Sequence, residues 1–193
     1  MSKLKVGVAL CGSYCTYEEV FAEIEGLCRA YDVTPIMSEN SAVTDTRFGS
    51  ASRFRSRLEE LSGKKPIVSI GAAEPIGPKK LLDVLLVMPC TGNTLAKIAA
   101  GITDTAVTMA VKAHLRNERP VVLAIATNDG LAGNGANIGA LLNRRNIYFV
   151  PFGQDDPKGK PRSLIADFSL AEATLEMAVS GQQIQPILIG PGR

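Results

Sequence analysis

The chain has 193 residues, 46% apolar and 21% charged, enough to bury one sizeable core and too apolar for intrinsic disorder. Its 21 basic and 19 acidic residues leave a net charge of +2, which offers no strong field to a nucleic-acid backbone, so neither DNA nor RNA is an expected partner. Cysteines at 11, 15, 28 and 90 and one histidine, His114, lack the spacing of a metal site, so no metal is expected and the thiols read as reduced and packed.

The N-terminal segment Met1-Ser2-Lys3-Leu4-Lys5 runs straight into a short apolar stretch without the layout of a signal peptide or a spanning helix. A cytoplasmic protein with no membrane partner is the expectation. Val6 to Leu10 reads as a strand buried on both faces, ended by Gly12-Ser13. Thr16 with Glu19 fits a capping box, and Val20, Phe21, Ile24, Leu27 and Cys28 carry helical spacing through Tyr31. Val33 to Met37 is a second strand and Ser38 to Gly49 a polar loop. Phe54, Leu58 and Leu61 mark the apolar side of a basic helix ended by Gly63, and Arg53, Arg55 and Arg57 read as its solvated face, which an acidic partner surface could also use.

Ile67 to Ile70 is a weak strand signal. Asp83 to Met88 is the clearest central strand, stopped by Pro89, and a helix is expected from about Asn93 to Ala100 with Gly101 as its stop. Asp104 fits the cap of the next helix, through Val107, Val111 and Leu115, with His114 toward a packing surface. Val121 to Ala126 is another strand, 130–135 a loop, Ala136 to Leu142 a helix and Ile147 to Val150 a last strand. Pro151 to Pro161 reads as a polar loop and Leu170 to Val179 as the final helix. Residues 182–193 form a tail whose apolar Pro186 to Ile189 suits packing on a partner subunit. Alternating strands and helices predict one three-layer α/β domain with a doubly wound, mostly parallel sheet.

Ligands of such sheets bind where strand C-termini open into loops. Three of these loops are rich in small polar groups: Gly12-Ser13, Ser38-Glu39-Asn40 and Pro89-Cys90-Thr91-Gly92-Asn93-Thr94. Each taken alone is an ordinary turn or cap, and Asn93 in particular fits a helix N-cap. Their coincidence after three buried strands favours a nucleotide-like cofactor, although no dinucleotide or triphosphate fingerprint is present.

The run Met88-Pro-Cys-Thr-Gly-Asn-Thr-Leu-Ala-Lys-Ile-Ala-Ala-Gly-Ile-Thr-Asp104 resembles the signature of the flavoprotein family that contains phosphopantothenoylcysteine decarboxylases, lantibiotic cysteine decarboxylases and flavin prenyltransferases. Gly12-Ser13 is similar to that family's first flavin loop, and Asn137-Ile138 through Gly153 to its closing segment. The resemblance implies a Rossmann-like or flavodoxin-like fold and an FMN site. Gly12, Ser13, Ser38 and Asn40 would lie toward the ribityl phosphate, and Pro89, Thr91, Gly92, Asn93 and Thr94 along the isoalloxazine ring. It also implies a homo-oligomer with cofactor sites at subunit contacts.

Further stretches narrow the resemblance: Gly12 to Tyr17, Asn40 through Thr46-Arg-Phe-Gly49, Glu74 to Pro78, Thr127-Asn-Asp129, Pro151 to Pro157 and Gln185 to Leu188. They are similar to a branch of the family in spore-forming bacteria whose members work as one of two unlike subunits, the B subunit, with an A subunit as the other. Together the two oxidise dihydrodipicolinate to dipicolinate, pyridine-2,6-dicarboxylate. This implies NAD(P) on the A subunit, a small dicarboxylate substrate and a place in the mother-cell cytoplasm. Asn128 and Arg47 then become candidates for the substrate carboxylates, Arg47 through its forked donors, although it also fits a surface arginine packed on Phe48.

The family's decarboxylases carry a histidine before the central strand, where this chain reads Glu74-Pro-Ile-Gly-Pro-Lys-Lys80. Their Pro-Ala-Met-Asn clamp is replaced by Ala126-Thr-Asn-Asp129, and Glu18 stands where a lysine is frequent. Flavin-dependent decarboxylation therefore ranks behind two other readings, an oxidoreductase subunit and a non-catalytic structural or regulatory subunit on the same fold.

Overall fold

The computed structural model describes residues 3–190. Its sheet is built on parallel strands in the order β2 (Asp32–Met37), β1 (Lys5–Leu10), β3 (Val84–Cys90), β4 (Val121–Thr127), with β5 (Ile147–Phe149) beside the first half of β4. β1, β3 and β4 are buried along almost their whole length, as their continuous apolar runs require of strands covered on both faces. Crossover helices supply the cover. α1 (Tyr17–Ala30) and α8 (Ala171–Val179) both pack on the turn at Phe168–Leu170. α4 (Ile70–Ala73), α5 (Gly92–Ala100), α6 (Ala106–Leu115) and α7 (Gly135–Leu142) pack against one another as a second set. The predicted three-layer α/β architecture is the one observed. Among the described residues no helix is long and apolar enough to cross a membrane.

Several local expectations give way to tertiary contacts. Thr16 does precede α1, but its hydroxyl donates to the Ser13 carbonyl in a short 3-10 turn, so there is no capping box with Glu19. The stretch from Ser38 is not all loop. A single turn, α2 (Glu39–Val43), forms because the Ser38 hydroxyl accepts the Ser41 N–H, and α3 (Ala51–Ser62) starts from a similar cap at Ser50 and ends on left-handed Gly63. Ile67 makes only an isolated bridge to Ile36, and Ile70 opens α4 because Ser69 caps it.

Pro89 does not stop β3. The strand continues to Cys90 through a cis Met88–Pro89 bond, and the register against β4 shifts between Val87 and Cys90. Thr91, not Asn93, caps α5, and α5 ends at left-handed Gly101 as expected. The cap of α6 is Thr105 in a reciprocal box with Thr108, while Asp104 is engaged by Lys97 at 2.9 Å. Lys97 is thus an intramolecular ion-pair partner.

The segment expected as a polar loop, Pro151 to Pro161, opens with one short strand, and a second lies just beyond it. β6 (Phe152–Gly153) pairs antiparallel with β7 (Leu164–Ala166), which pairs antiparallel with the end of β4. The C-terminal tail, of which 191–193 lie outside the described residues, is tied to its own domain. Phe152 N–H donates to the Ile187 carbonyl and Ile189 N–H to the Phe152 carbonyl, both at 3.0 Å, leaving Leu188 66% exposed. Gln183 caps the free edge of β5, accepting from Phe149 N–H at 2.8 Å and donating to its carbonyl at 2.7 Å. Gln183→Ala strips both partners from a buried edge, and a loss of about 2 kcal/mol in urea unfolding is the expected result. An unchanged midpoint would show that the edge is satisfied otherwise.

Candidate functional site

The C-terminal ends of β1, β2, β3 and β4 open on one side of the sheet. Between β1 and β3 the strand order reverses, with α1 leading outward to β2 and later crossovers leading the other way. At such a switch point two neighbouring loops diverge and leave a crevice. Two lobes fill this crevice, of about 710 and 410 Å³, both in the range of cofactor and small-ligand sites. Asn93 and Thr91, at the start of α5, line both and form the wall between them.

The loop after β1 is shaped by a cluster of aromatic rings. Tyr17 is buried, packs edge-on to Phe54 at 4.7 Å between ring centroids and donates its hydroxyl to the Cys11 carbonyl at 2.7 Å. Ser13 is left-handed, with φ of 68°. Tyr14 lines the larger lobe and donates to the Asn40 carbonyl at 3.1 Å, which ties the β1 loop to α2. Gly12, Ser38, Asn40 and Thr94 line this lobe too, with Glu39 and the Lys97–Asp104 pair. Glu39 Oε1 accepts the Ala106 N–H at the start of α6, and its buried Oε2 has no partner among the described residues.

The smaller lobe is built on Asp129. Its carboxylate accepts the Thr127 hydroxyl at 2.5 Å and the Asn134 amide at 2.8 and 2.9 Å, and these hydrogen bonds hold it below the usual carboxylate range. Gly92 makes this packing feasible: a Cβ there would lie 2.5 Å from Asn134 Nδ2 and from Thr127 Oγ1, and 2.9 Å from Asp129 Oδ1. Ser13, Gly92, Asn128, Ser163 and the Lys160–Asp155 pair, 3.0 Å apart, also line it. The side-chain amides of Asn93 and Asn128 make no hydrogen bond among the described residues, so their donors and acceptors are available to a ligand.

A family model described as Flavoprotein matches residues 1–155. The chain belongs to the flavoprotein family. Over 193 residues, covering 98% of the chain and 96% of its relative, it is 48% identical to the dipicolinate synthase B subunit of Bacillus subtilis (strain 168). The crystal structure of the dipicolinate synthase B subunit from Bacillus halodurans C superposes with a TM-score of 0.89 at 44% identity, covering 98% of this chain and 99% of that one. The FMN-dependent cysteine decarboxylase SpaF shares the fold at 23% identity, with a TM-score of 0.64 over 93% of this chain and 98% of its own.

Nine of the eleven residues singled out from the sequence meet in the crevice of this flavoprotein: Gly12, Ser13, Ser38, Asn40, Thr91, Gly92, Asn93, Thr94 and Asn128. Ser38 has a second duty as the α2 cap, and its hydroxyl lies 2.7 Å from that of Ser41. Pro89 is buried in β3 and lines neither lobe. Arg47 also stays outside, exposed and stacked 4.8 Å from the centroid of the Phe48 ring. Cys15 does not pack inside but is exposed on the smaller lobe, whereas burial pushes the Cys11 thiol up to about 11. All four cysteines are free. His114 is 1% exposed inside α6 and lines neither lobe, consistent with the packing role its spacing implied. Glu39, Asp104, Asp129, Asn134, Asp155 and Lys160 were not singled out as site residues, although Glu39 lay in the Ser38-Glu39-Asn40 loop, Asp104 was read as a helix cap and Asp155 lay in the Pro151 to Pro157 stretch. Asp129 lay within the Thr127-Asn-Asp129 stretch, but Lys160 carried no signal beyond its place in a polar loop.

Proposed function

We propose that this chain is the B subunit of a dipicolinate synthase, which acts with an A subunit to oxidise dihydrodipicolinate to dipicolinate in the mother-cell cytoplasm of a sporulating bacterium. The observation that carries this reading is the two-lobed crevice at the β1/β3 switch point, in a chain 48% identical to a dipicolinate synthase B subunit along almost its full length. The reaction removes a hydride and a proton from the ring and gains aromaticity, so it needs an oriented ring and a hydride acceptor. In this reading NAD(P)+ on the A subunit is the terminal acceptor.

The crevice fits the flavin ring by its donor set, while a phosphate would meet neutral donors only, because Lys97 is paired with Asp104 and Glu39 lines the same lobe. Gly12 in the larger lobe and Ser13 in the smaller let a ligand approach the backbone, the hydroxyls of Thr91 and Thr94 lie beside the free amide of Asn93, and the ring of Tyr14 offers a flat wall. Gly12, Ser13, Ser38 and Asn40 would hold the ribityl phosphate, and Thr91, Gly92, Asn93 and Thr94 the ring. When bound, the flavin supplies a hydride acceptor within this chain. Asn93, on the wall between the lobes, would meet both the flavin edge and the substrate, and Asn128 would donate to a substrate carboxylate. A decarboxylase mechanism resting on a histidine has no residue here, because His114 is the chain's one histidine and lies in the core.

The test is the visible spectrum of the purified chain after incubation with excess FMN and desalting. A retained, protein-shifted flavin band that Asn93→Ala shifts or weakens is the expected result. If no flavin is retained at micromolar protein, the flavin part of this reading fails and a substrate-binding or structural role in the complex with the A subunit takes its place.

A further inference from the structure

Dipicolinate is a flat dianion and its dihydro precursor a puckered one, and in both the carboxylates flank the ring nitrogen on opposite sides, so a site for them needs two separated donor groups and some positive charge. Among the described lining residues the crevice has two cations, and each has an aspartate partner. Lys97 bridges α5 to Asp104 and is only 23% exposed in its side chain, which commits it to the larger lobe and to the fold. Lys160 is different. Its side chain is 56% exposed, it lines the smaller lobe, and its partner Asp155 lies on the same loop. An exposed pair of this kind contributes little to stability, so sharing its ammonium with a ligand costs little. An ammonium carries three donors and Asp155 occupies one.

The loop that carries Lys160 is fixed to the body of the domain. Lys160 N–H donates to the Asp156 carbonyl at 2.7 Å, the Gln154 amide donates to the Pro161 carbonyl at 2.9 Å, and Leu131 N–H donates to the Arg162 carbonyl at 2.9 Å. The last of these ties the loop to the turn after β4, where Asn128 and Asp129 lie. Asp129 stays ionised, but its oxygens are turned onto Thr127 and Asn134, away from the neighbouring Asn128 amide, which is left to offer donors, and among the described lining residues the positive charge of the lobe comes from Lys160 alone. The smaller lobe thus carries two donor groups from different loops, the ammonium of Lys160 and the amide of Asn128, with Asn93 on its wall.

We propose that Lys160 binds one carboxylate of the substrate while Asn128 binds the other, with Asp155 holding the Lys160 ammonium over the lobe, so that Lys160 selects dicarboxylates over monocarboxylates. This rests on the dipicolinate synthase reading and adds to it a residue for substrate specificity.

The experiment compares wild type, Lys160→Ala and Lys160→Arg in complex with the A subunit. A hydrogen bond from a charged group supports an expected rise in KM for the dihydrodicarboxylate of about tenfold or more in Lys160→Ala, with kcat within about threefold. Lys160→Arg should restore most of the difference. Inhibition by dipicolinate relative to picolinate is the second readout: the preference for the dicarboxylate should collapse in Lys160→Ala. An unchanged KM and an unchanged inhibitor ratio in Lys160→Ala overturn the assignment. If the wild-type complex oxidises no dihydrodicarboxylate, the functional reading fails separately. Calorimetric titration of dipicolinate into the wild-type and Lys160→Ala complexes then decides the role of Lys160: weaker binding by the variant supports it, and equal or absent binding in both overturns it.

Discussion

Gly92→Ala is expected to lose both stability and the smaller lobe of the crevice. The added methyl has nowhere to go: two of the three atoms it meets lie 2.5 Å away, and all three belong to the Asp129 network. Either α5 moves off β4 or the Thr127–Asp129–Asn134 hydrogen bonds open, and overpacking of this kind costs about 2–3 kcal/mol. Opening the network also leaves the Asn134 amide, in a residue only 6% exposed, without its acceptor. Urea unfolding reads the first effect and flavin retention or substrate KM the second. Thr127→Ala in the Gly92→Ala background removes one of the two closest contacts and should recover part of the stability, a coupling a double-mutant cycle measures. A Gly92→Ala protein with wild-type stability would show that the network yields without cost.

The second large effect is a pH dependence of folding set by His114. Burial in α6 lowers its pKa from 6.5 to about 4, the Arg119 guanidinium adds to the effect, and the nearby Pro120 backbone and Asp83 offset it in part. Its Nε2 has no partner among the described residues. The unfolded chain takes up a proton near pH 6.5 that the native protein refuses until about pH 4. Stability therefore falls as pH drops through this window, by about 1.4 kcal/mol per unit and roughly 3 kcal/mol in all, and the contribution is fully present above pH 6.5. His114→Leu keeps a similar volume and removes the proton site, so the stability gap between pH 7 and pH 4.5 should shrink by most of that amount. Parallel stability curves for wild type and variant would sink the idea. His114 is structural, and the same variant should leave flavin retention at pH 7 unchanged.

The elements that were legible share one property, a long run whose pattern admits a single solution. Val84 to Val87 and Val121 to Ala126 have no polar alternation, so they had to be central strands. The loops after such buried strands had to share an edge, which is why Gly12, Ser38, Thr91 and Asn93 could be placed together beforehand, whereas Asn128 was a candidate only through the family resemblance. The elements missed are one or two turns long, or two or three residues wide. α2 exists because Ser38 finds Ser41, and β6 and β7 exist because the end of β4 offers an unpaired edge; neither condition is written in a local period. Arg47 failed for a related reason: its local partner Phe48 was at hand, and nothing in its own stretch turns it toward the crevice.

Burial of apolar runs, a summed and non-directional effect, thus made the strand order class, the layering and the edge that bears ligands readable from the residues alone. The charge balance of the crevice was not readable. Glu39, Asp104, Asp129 and the Lys160–Asp155 pair come from loops far apart in the chain, and their effect depends on which hydrogen bonds each one has already made. A carboxylate turned onto Thr127 and Asn134 and an ammonium held over a lobe are outcomes of distance and direction, which only packing in three dimensions sets.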